Sequence, residues 1–471
     1  MKILLVTYWG LTNMGGIWTY MKQLADKLSE QGHEVTLMGS RAEDHTLYLL
    51  DQGISFDKKV LYNSLLPQFD TSRFPHLYLE HGILSFELGR YVFEGGAAVL
   101  GLEKYDVIHA QDPISAYAIR RIMKVRKPLV ASFHGALAYE SYFEYKGIEP
   151  ELTRIDYEKR AIWRYFRRLE GLGVRSSDLI LVSSNWIGQL VNREGAGRAG
   201  IHILPYGMDV KQYDAKAAMP APLKFGDGLK VIMYAGRLEY IKGVHVLIGA
   251  LGILQHSRRD WVCAIAGIGS LTEELQEQAR ELGIQDRVFF TGKIDNIPAA
   301  LTAADIYVQP SLQDTQPFSV TEAQLAGIAP IVAGTAGMPE MVQQGVTGFV
   351  VPPEDNAALA AQLEQLLGDD ELRMRTGKQA RSWAAQNRSL DGMAAGTLMA
   401  YHKAVALQKG RRGNISDKGW RKSAVSSRLP DAFHPADVLE LMRPGDPLAL
   451  ALREGLPQNY SIPDAQMVIG E

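Results

Sequence analysis

A single cysteine, Cys263, occurs in 471 residues. An internal disulfide is therefore excluded, and a lone thiol inside the apolar run "WVCAIAG" reads as packing. No aspartate has another two positions away, so DxD is missing, as are HExxH and any cysteine–histidine cluster. The common sequence signs of a bound metal are thus lacking. GxGxxG, the dinucleotide fingerprint, is missing as well. No stretch approaches the roughly eighteen apolar residues of a membrane span. A formal net charge of -3 withholds the basic face that a nucleic-acid partner would need.

What is present is an ordinary globular composition, 46% hydrophobic and 22% charged, in a chain too long for one compact core. Two domains are expected. The opening "MKILLVTYWG" is short, rich in β-branched and aromatic residues, and followed by "LTNMGG" instead of a small-residue cleavage site. It reads as a buried first strand, and the expected location is cytoplasmic.

Short β-rich runs alternate with helical patterns. "KILLVTY", "HEVTLMG", "YDVIHAQD", "PLVASFHG", "DLILVSS" and "HILPYG" are strand candidates of a first half. The same grammar restarts with "KVIMYAGR", "WVCAIAG", "RVFFTG", "DIYVQPS", "IAPIVAG" and "TGFVVPP". Apolar strands separated by amphipathic helices indicate parallel sheets covered on both faces. The expected fold is α/β, with two Rossmann-like doubly wound domains facing across a cleft. The boundaries are 1–212 for the first domain, 213–228 for a linker rich in proline, glycine and small residues, and 229–385 for the second. Residues 386–408 form a helix, and 409–471 an irregular tail. Basic residues dominate 409–428, and acids with prolines dominate 429–471. A loosely ordered extension explains that composition, with one short helix near "ADVLELM"; a docking segment for a protein partner is the second reading.

In such folds ligands bind beyond the carboxyl ends of the strands, so the residues there are the ones to weigh. Gly15 and Gly16 in "NMGGIWTY" precede a helix, where bare backbone N–H groups suit an anion, although a tight turn alone would also explain them. Gly267 and Gly269 in "AGIGSL" carry the same two readings. Arg237 and Lys242 in "YAGRLEYIKG" are permanent cations that suit a diphosphate; otherwise they are a solvated pair. His134 ends a strand of the first half. Asp314 and Glu322 in "QDTQPFSVTEAQLAG" bracket a strand-to-helix turn. They are either helix-terminus acids or acceptors of hydrogen bonds from a polyhydroxylated ligand.

Taken in order, "GGIWTY", "AGRLEYIKG", "AGIGS", "FTGKI" and "DTQPFSVTEAQLAG" resemble the retaining glycosyltransferases of family 4, which have the GT-B architecture. The resemblance covers about residues 1–408. It implies a first domain that holds the acceptor, a second that holds the nucleotide sugar, and a helix at 386–408 returning toward the first. It implies that Glu322 binds the nucleotide ribose and Asp314 the hydroxyls of the transferred sugar, with Asp one methylene shorter than the family's usual Glu. Arg237 and Lys242 fall on the diphosphate-binding pair, Gly16 on a phosphate-facing loop and His134 close to the donor sugar. Phe318 and Ser319 are the candidate amide donors, because Pro317 has none. Gln111 stands where relatives often carry a second histidine.

The activity so implied is transfer from a nucleotide diphosphate sugar to a hydroxyl of a glycan, lipid or small molecule. Anomeric configuration is kept, no metal is needed, and no cofactor is expected beyond the donor. A degenerate relative that binds sugar nucleotide without transfer is the alternative. Tyr139, Tyr142, Phe143 and Tyr145 are candidate acceptor contacts or plain packing. The helix "YEKRAIWRYFRRLEG" either lies on anionic lipid, giving weak peripheral membrane contact, or is a core helix with a solvated basic face.

Overall fold

In the computed structural model, residues 1–11, 15–41, 45–50, 52–195, 200–414 and 429–467 are described. The first sheet comprises β1 (Lys2–Gly10), β2 (Glu34–Arg41), β3 (Thr46–Leu49), β4 (Ile54–Asp57), β5 (Val107–Ala110), β6 (Leu129–Phe133), β7 (Leu179–Val182) and β8 (Gly200–Ile203). Its strand order is β4-β3-β2-β1-β5-β6-β7-β8. The second comprises β9 (Lys230–Ala235), β10 (Trp261–Ala266), β11 (Val288–Gly292), β12 (Ile306–Gln309), β13 (Ala329–Ala333) and β14 (Phe349–Val351), in the order β11-β10-β9-β12-β13-β14.

All pairings in the second sheet are parallel. Strands buried on both faces explain why "LILV" and "WVCAIA" carry no polar alternation. The expected α/β class with two doubly wound sheets is what the structure has. One departure lies at the edge of the first sheet. There β3 and β4 continue antiparallel from β2, pairing Met38 with Leu49 and Leu47 with Phe56. Four-residue strands joined without a helix carry too little periodicity to be read as strands.

Three further segments bear on the sequence reading. The linker expected from residue 213 begins later, because Val210–Ala217 is a helix capped by Asp209 on Gln212 N (3.0 Å). Its Tyr213 is buried and donates to Glu322 O at 2.8 Å. The helix Leu390–Asn414 packs Met393, Ala394, Tyr401 and Ala404 into the core of the first domain beside Ile3 and Leu5.

The tail expected to be irregular is not so over 429–467. Helices Pro435–Met442 and Pro447–Gly455 bury Ala436, Leu439, Ala449 and Leu452 in the first domain's core. Prolines there occupy helix N-termini, where their missing N–H costs nothing. Composition read as disorder was therefore capping chemistry. The basic stretch 415–428 lies outside the described residues.

Among the described residues no helix is long and apolar enough to cross a membrane. The arginines of helix Ala161–Ser176 and its entry are engaged within the protein. Arg160 pairs with Glu149, Arg164 donates to Lys159 O (2.8 Å), Arg167 pairs with Glu170 and Glu194, and Arg168 donates to Gln466 O. A basic face spent on internal partners supplies no argument for lipid contact.

Candidate active site

The sequence-predicted residues leave the carboxyl ends of β1, β6, β9, β10 and β12, where the two sheets face each other. Several contacts cross between the domains at this point. Thr315 Oγ1 donates to His134 O at 2.6 Å. Gln316 holds both backbone groups of Tyr206, accepting from its N at 2.9 Å and donating to its O at 3.2 Å. The Phe318 ring stacks on Tyr206 with centroids 5.3 Å apart, and a Cβ added to Gly16 would lie 4.0 Å from Phe318 Cδ2. Farther along, Glu340 of the second domain accepts from Asn185 N (2.8 Å), Asn185 Nδ2 (2.9 Å) and Trp186 N (2.9 Å), satisfying the first turn of a helix in the first domain.

The helix Phe318–Leu325 begins after Pro317 with no side-chain cap. The amides of Phe318 and Ser319 thus have no intrahelical acceptor and face the cleft end. The Ser319 hydroxyl itself is committed to Gln309 Oε1 at 3.0 Å. One turn in, Glu322 is half-buried, and its carboxyl makes no hydrogen bond with any described residue. Burial pushes it up to about 7, with Lys216 drawing it partly back. A carboxylate in that condition lacks donors, and a vicinal diol would supply them.

Lys242 Nζ and Asp314 Oδ2 form a 2.6 Å ion pair, so the two residues assigned to diphosphate and sugar are brought together. Arg237 is exposed at the end of β9, and its guanidinium has no ion pair with a described residue. The two cations differ accordingly: one is held, the other free to meet an anion.

His134 is fixed rather than free. Gln111 Nε2 donates to His109 O at 3.1 Å, which aims its Oε1 at His134 Nε2, 3.0 Å away. The imidazole proton therefore sits on Nε2, and Nδ1 accepts from the Tyr206 hydroxyl at 2.6 Å. Burial pushes the ring down to about 3, so it stays neutral. The Gln111 side chain has a definite task, orienting His134. His109 is buried between Tyr401 OH and Ser132 Oγ, both at 2.8 Å, and is structural.

At Gly267 and Gly269 close packing accounts for the glycines. A Cβ at 267 would lie 1.8 Å from Gly236 O, and one at 269 would lie 2.3 Å from Leu238 O. The loops after β9 and β10 meet there, with Leu238 N donating to Ile268 O (3.0 Å). Close packing by itself requires glycine at both positions, and the Gly267 amide is taken by Gly292 O at 2.9 Å. Gly15, at φ 125°, starts the helix Gly16–Glu30 in a conformation that favours glycine. Among the described residues no three His, Cys, Asp or Glu side chains converge in a way that could hold a metal ion.

The family model described as Glycosyltransferase Family 4 matches residues 14–212, and that described as Glycosyl transferases group 1 matches residues 216–383. The chain belongs to glycosyltransferase family 4. Glycogen synthase of Mycobacterium tuberculosis is 26% identical over 427 residues, covering 88% of this chain and 96% of that protein. D-inositol 3-phosphate glycosyltransferase of Pseudarthrobacter chlorophenolicus is 25% identical, covering 84% and 92%. The Anabaena HepE structure in complex with UDP superposes with a TM-score of 0.59 at 18% identity, covering 86% of this chain and all of that one, and shows the GT-B fold.

For a family-4 glycosyltransferase, one cleft residue escaped the sequence reading. Glu140, in the first turn of helix Leu137–Ile148, lies in the segment noted above for its aromatics. Those aromatics pack: Tyr139 meets Trp163 and Trp186, Tyr142 and Tyr145 meet Tyr157, and Phe143 reaches the second domain's core. The available signal was an acid six residues beyond His134, invisible until the helix is seen to cross the cleft.

Proposed function

We propose that this family-4 glycosyltransferase moves a sugar from a nucleoside diphosphate sugar to a hydroxyl of a glycan, lipid or small-molecule acceptor, with retention and without a metal. The observation that carries the donor assignment is Glu322, a half-buried carboxyl without a hydrogen-bond partner among the described residues, one turn inside a helix whose first amides have no acceptor among them. The ribose hydroxyls donate to Glu322, and the diphosphate lies toward the amides of Phe318 and Ser319 and the N-terminus of helix Gly16–Glu30. Arg237 and Lys242 take up the charge that grows on the diphosphate as it leaves, the role a divalent cation fills in other enzymes. Asp314, released in part from Lys242, accepts from hydroxyls of the transferred sugar. Neutral His134, with both ring nitrogens engaged, is a fixed wall of the sugar pocket. Closure of the two domains keeps water from the donor. HepE, solved with UDP, supports a nucleotide in this fold.

The test is a thermal-shift panel of UDP-glucose, ADP-glucose and GDP-mannose on the full chain. A donor at a hundred times its dissociation constant stabilises the folded state by about 2.7 kcal/mol, which moves the transition by several degrees. One nucleotide is expected to produce that shift without added metal. No shift from any member of the panel would overturn the donor assignment.

A further inference from the structure

Glu140 is the acid in the cleft that the donor chemistry leaves unused. Its helix, Leu137–Ile148, belongs to the first domain yet docks on the second. Phe143 packs against the second core, and a Cβ on Gly147 would come 3.3 Å from Tyr240 Cβ. Glu140 is thereby carried over Gly135, next to His134. A Cβ at position 135 would overlap its Oε1 at 1.7 Å, so only glycine leaves room for the carboxyl there. The carboxyl has no hydrogen-bond partner among the described residues. Lys242, Asp314 and Arg237 face it from the second domain, Glu144 from its own helix, and Glu170 from helix Ala161–Ser176. Glu170 is occupied, accepting from Ala138 N (3.2 Å) and Arg167 (3.3 Å).

Resting on the transfer reading above, we propose that Glu140 is the acceptor-side base: it receives the hydrogen bond of the incoming hydroxyl and takes its proton during transfer. In that step the acceptor oxygen bonds to the anomeric carbon as the anomeric carbon–oxygen bond to the diphosphate breaks. The bond's electron pair leaves with the diphosphate, beside Arg237 and Lys242, and the hydroxyl proton goes to Glu140. Its placement beside the Lys242–Asp314 pair puts it on the side where the leaving group departs. Burial pushes the carboxyl up to about 7, against the pull of Lys242 and with Asp314 and Glu144 adding to the rise. An acid so tuned changes state near neutral pH, where a base is most effective.

The experiment uses the full chain and water as the acceptor. Nucleoside diphosphate release at saturating concentrations of the donor selected by the panel, where the pH dependence of donor binding at Glu322 drops out, is followed over about pH 5.5 to 9 for wild type, Glu140→Gln and Glu144→Gln. Wild type is expected to rise to a plateau with a midpoint near 7, and Glu144→Gln to keep that limb with its midpoint moved lower, because Glu144 adds to the rise. Glu140→Gln is expected to lose that limb and to run at least about tenfold slower at the plateau. Its thermal shift with the nucleoside diphosphate is expected to match wild type, which shows that it folds and keeps the donor site. A Glu140→Gln that binds nucleotide and keeps the wild-type profile would overturn this inference alone. A wild type that binds no nucleotide would overturn the donor assignment and this with it.

Discussion

Glu322→Gln is expected to weaken nucleoside diphosphate binding by about 10²-fold, through hydrogen bonds to a charged acceptor worth about 1.5–3 kcal/mol each, and to raise the melting temperature of the ligand-free protein. The two effects share one cause. The folded carboxyl sits at about 7, above its ordinary 4.5, because burial penalises the charge. Between those two values the folded state binds more protons than the unfolded one, so this group's contribution to stability falls as pH rises. At pH 8 the whole penalty is present, and the neutral amide removes it. At pH 4 the carboxyl is protonated in both states, and the variant should melt with wild type. Donor binding runs the opposite way. Ribose hydroxyls donate to the carboxylate, so wild-type affinity should strengthen from pH 6 to 8, while that of Glu322→Gln stays flat. Calorimetric melting and titration at those pH values check both signs. A residue placed for folding alone would not show the stabilisation.

Asp464→Ala is expected to cost about 3 kcal/mol or more in denaturant unfolding, and deletion of residues 429–471 to abolish folding of the first domain. Arg90, Glu87 and Glu94 are fully buried on helix Ile83–Leu100, and Asp464 arrives from the far end of the chain. Asp464 meets Arg121 at 2.8 Å and Arg90 at 3.3 Å, and accepts from Tyr117 OH at 2.6 Å. Its backbone N donates to Tyr91 OH at 2.8 Å, while Tyr460 OH donates to Glu94. Removing one member leaves buried guanidinium groups short of an anion, the costly outcome for an ion network. Deletion also strips Leu452 from Gly95 and Gly455 from Ala98. Burial alone would raise the Asp464 carboxyl, but Arg121 and Arg90 outweigh it and hold it below the usual carboxylate range. A depressed carboxyl stabilises the fold above its unfolded pKa, so wild type should lose this contribution as pH falls through the lowered folded value. Asp464→Ala should show a shallower acid limb. An unchanged midpoint in urea would show the tail to be mere decoration.

The two sheets were legible because strands buried on both faces are written as continuous apolar runs, and amphipathic helices separate them. The tail was not, since proline and acid count alike toward disorder and helix capping until their positions are known. In the site, the glycines could not be assigned from the sequence. At 267 and 269 a backbone-to-backbone approach explains them, and no spacing rule distinguishes that from a phosphate cradle. Glu140 was under-read for the converse reason: its meaning depends on a helix of one domain reaching the other. Gln111 looked like a gap in a pattern, yet its amide sets the tautomer of His134.

The decisive measurement is turnover of an α-linked nucleoside diphosphate sugar in excess EDTA, followed by proton NMR before the product sugar mutarotates. The expected result is nucleoside diphosphate release at a rate untouched by the chelator, with the sugar first appearing as the α-anomer. Release that stops on chelation, or a sugar that first appears as the β-anomer, would contradict a transfer in which Arg237 and Lys242 carry the leaving group's charge and configuration is kept.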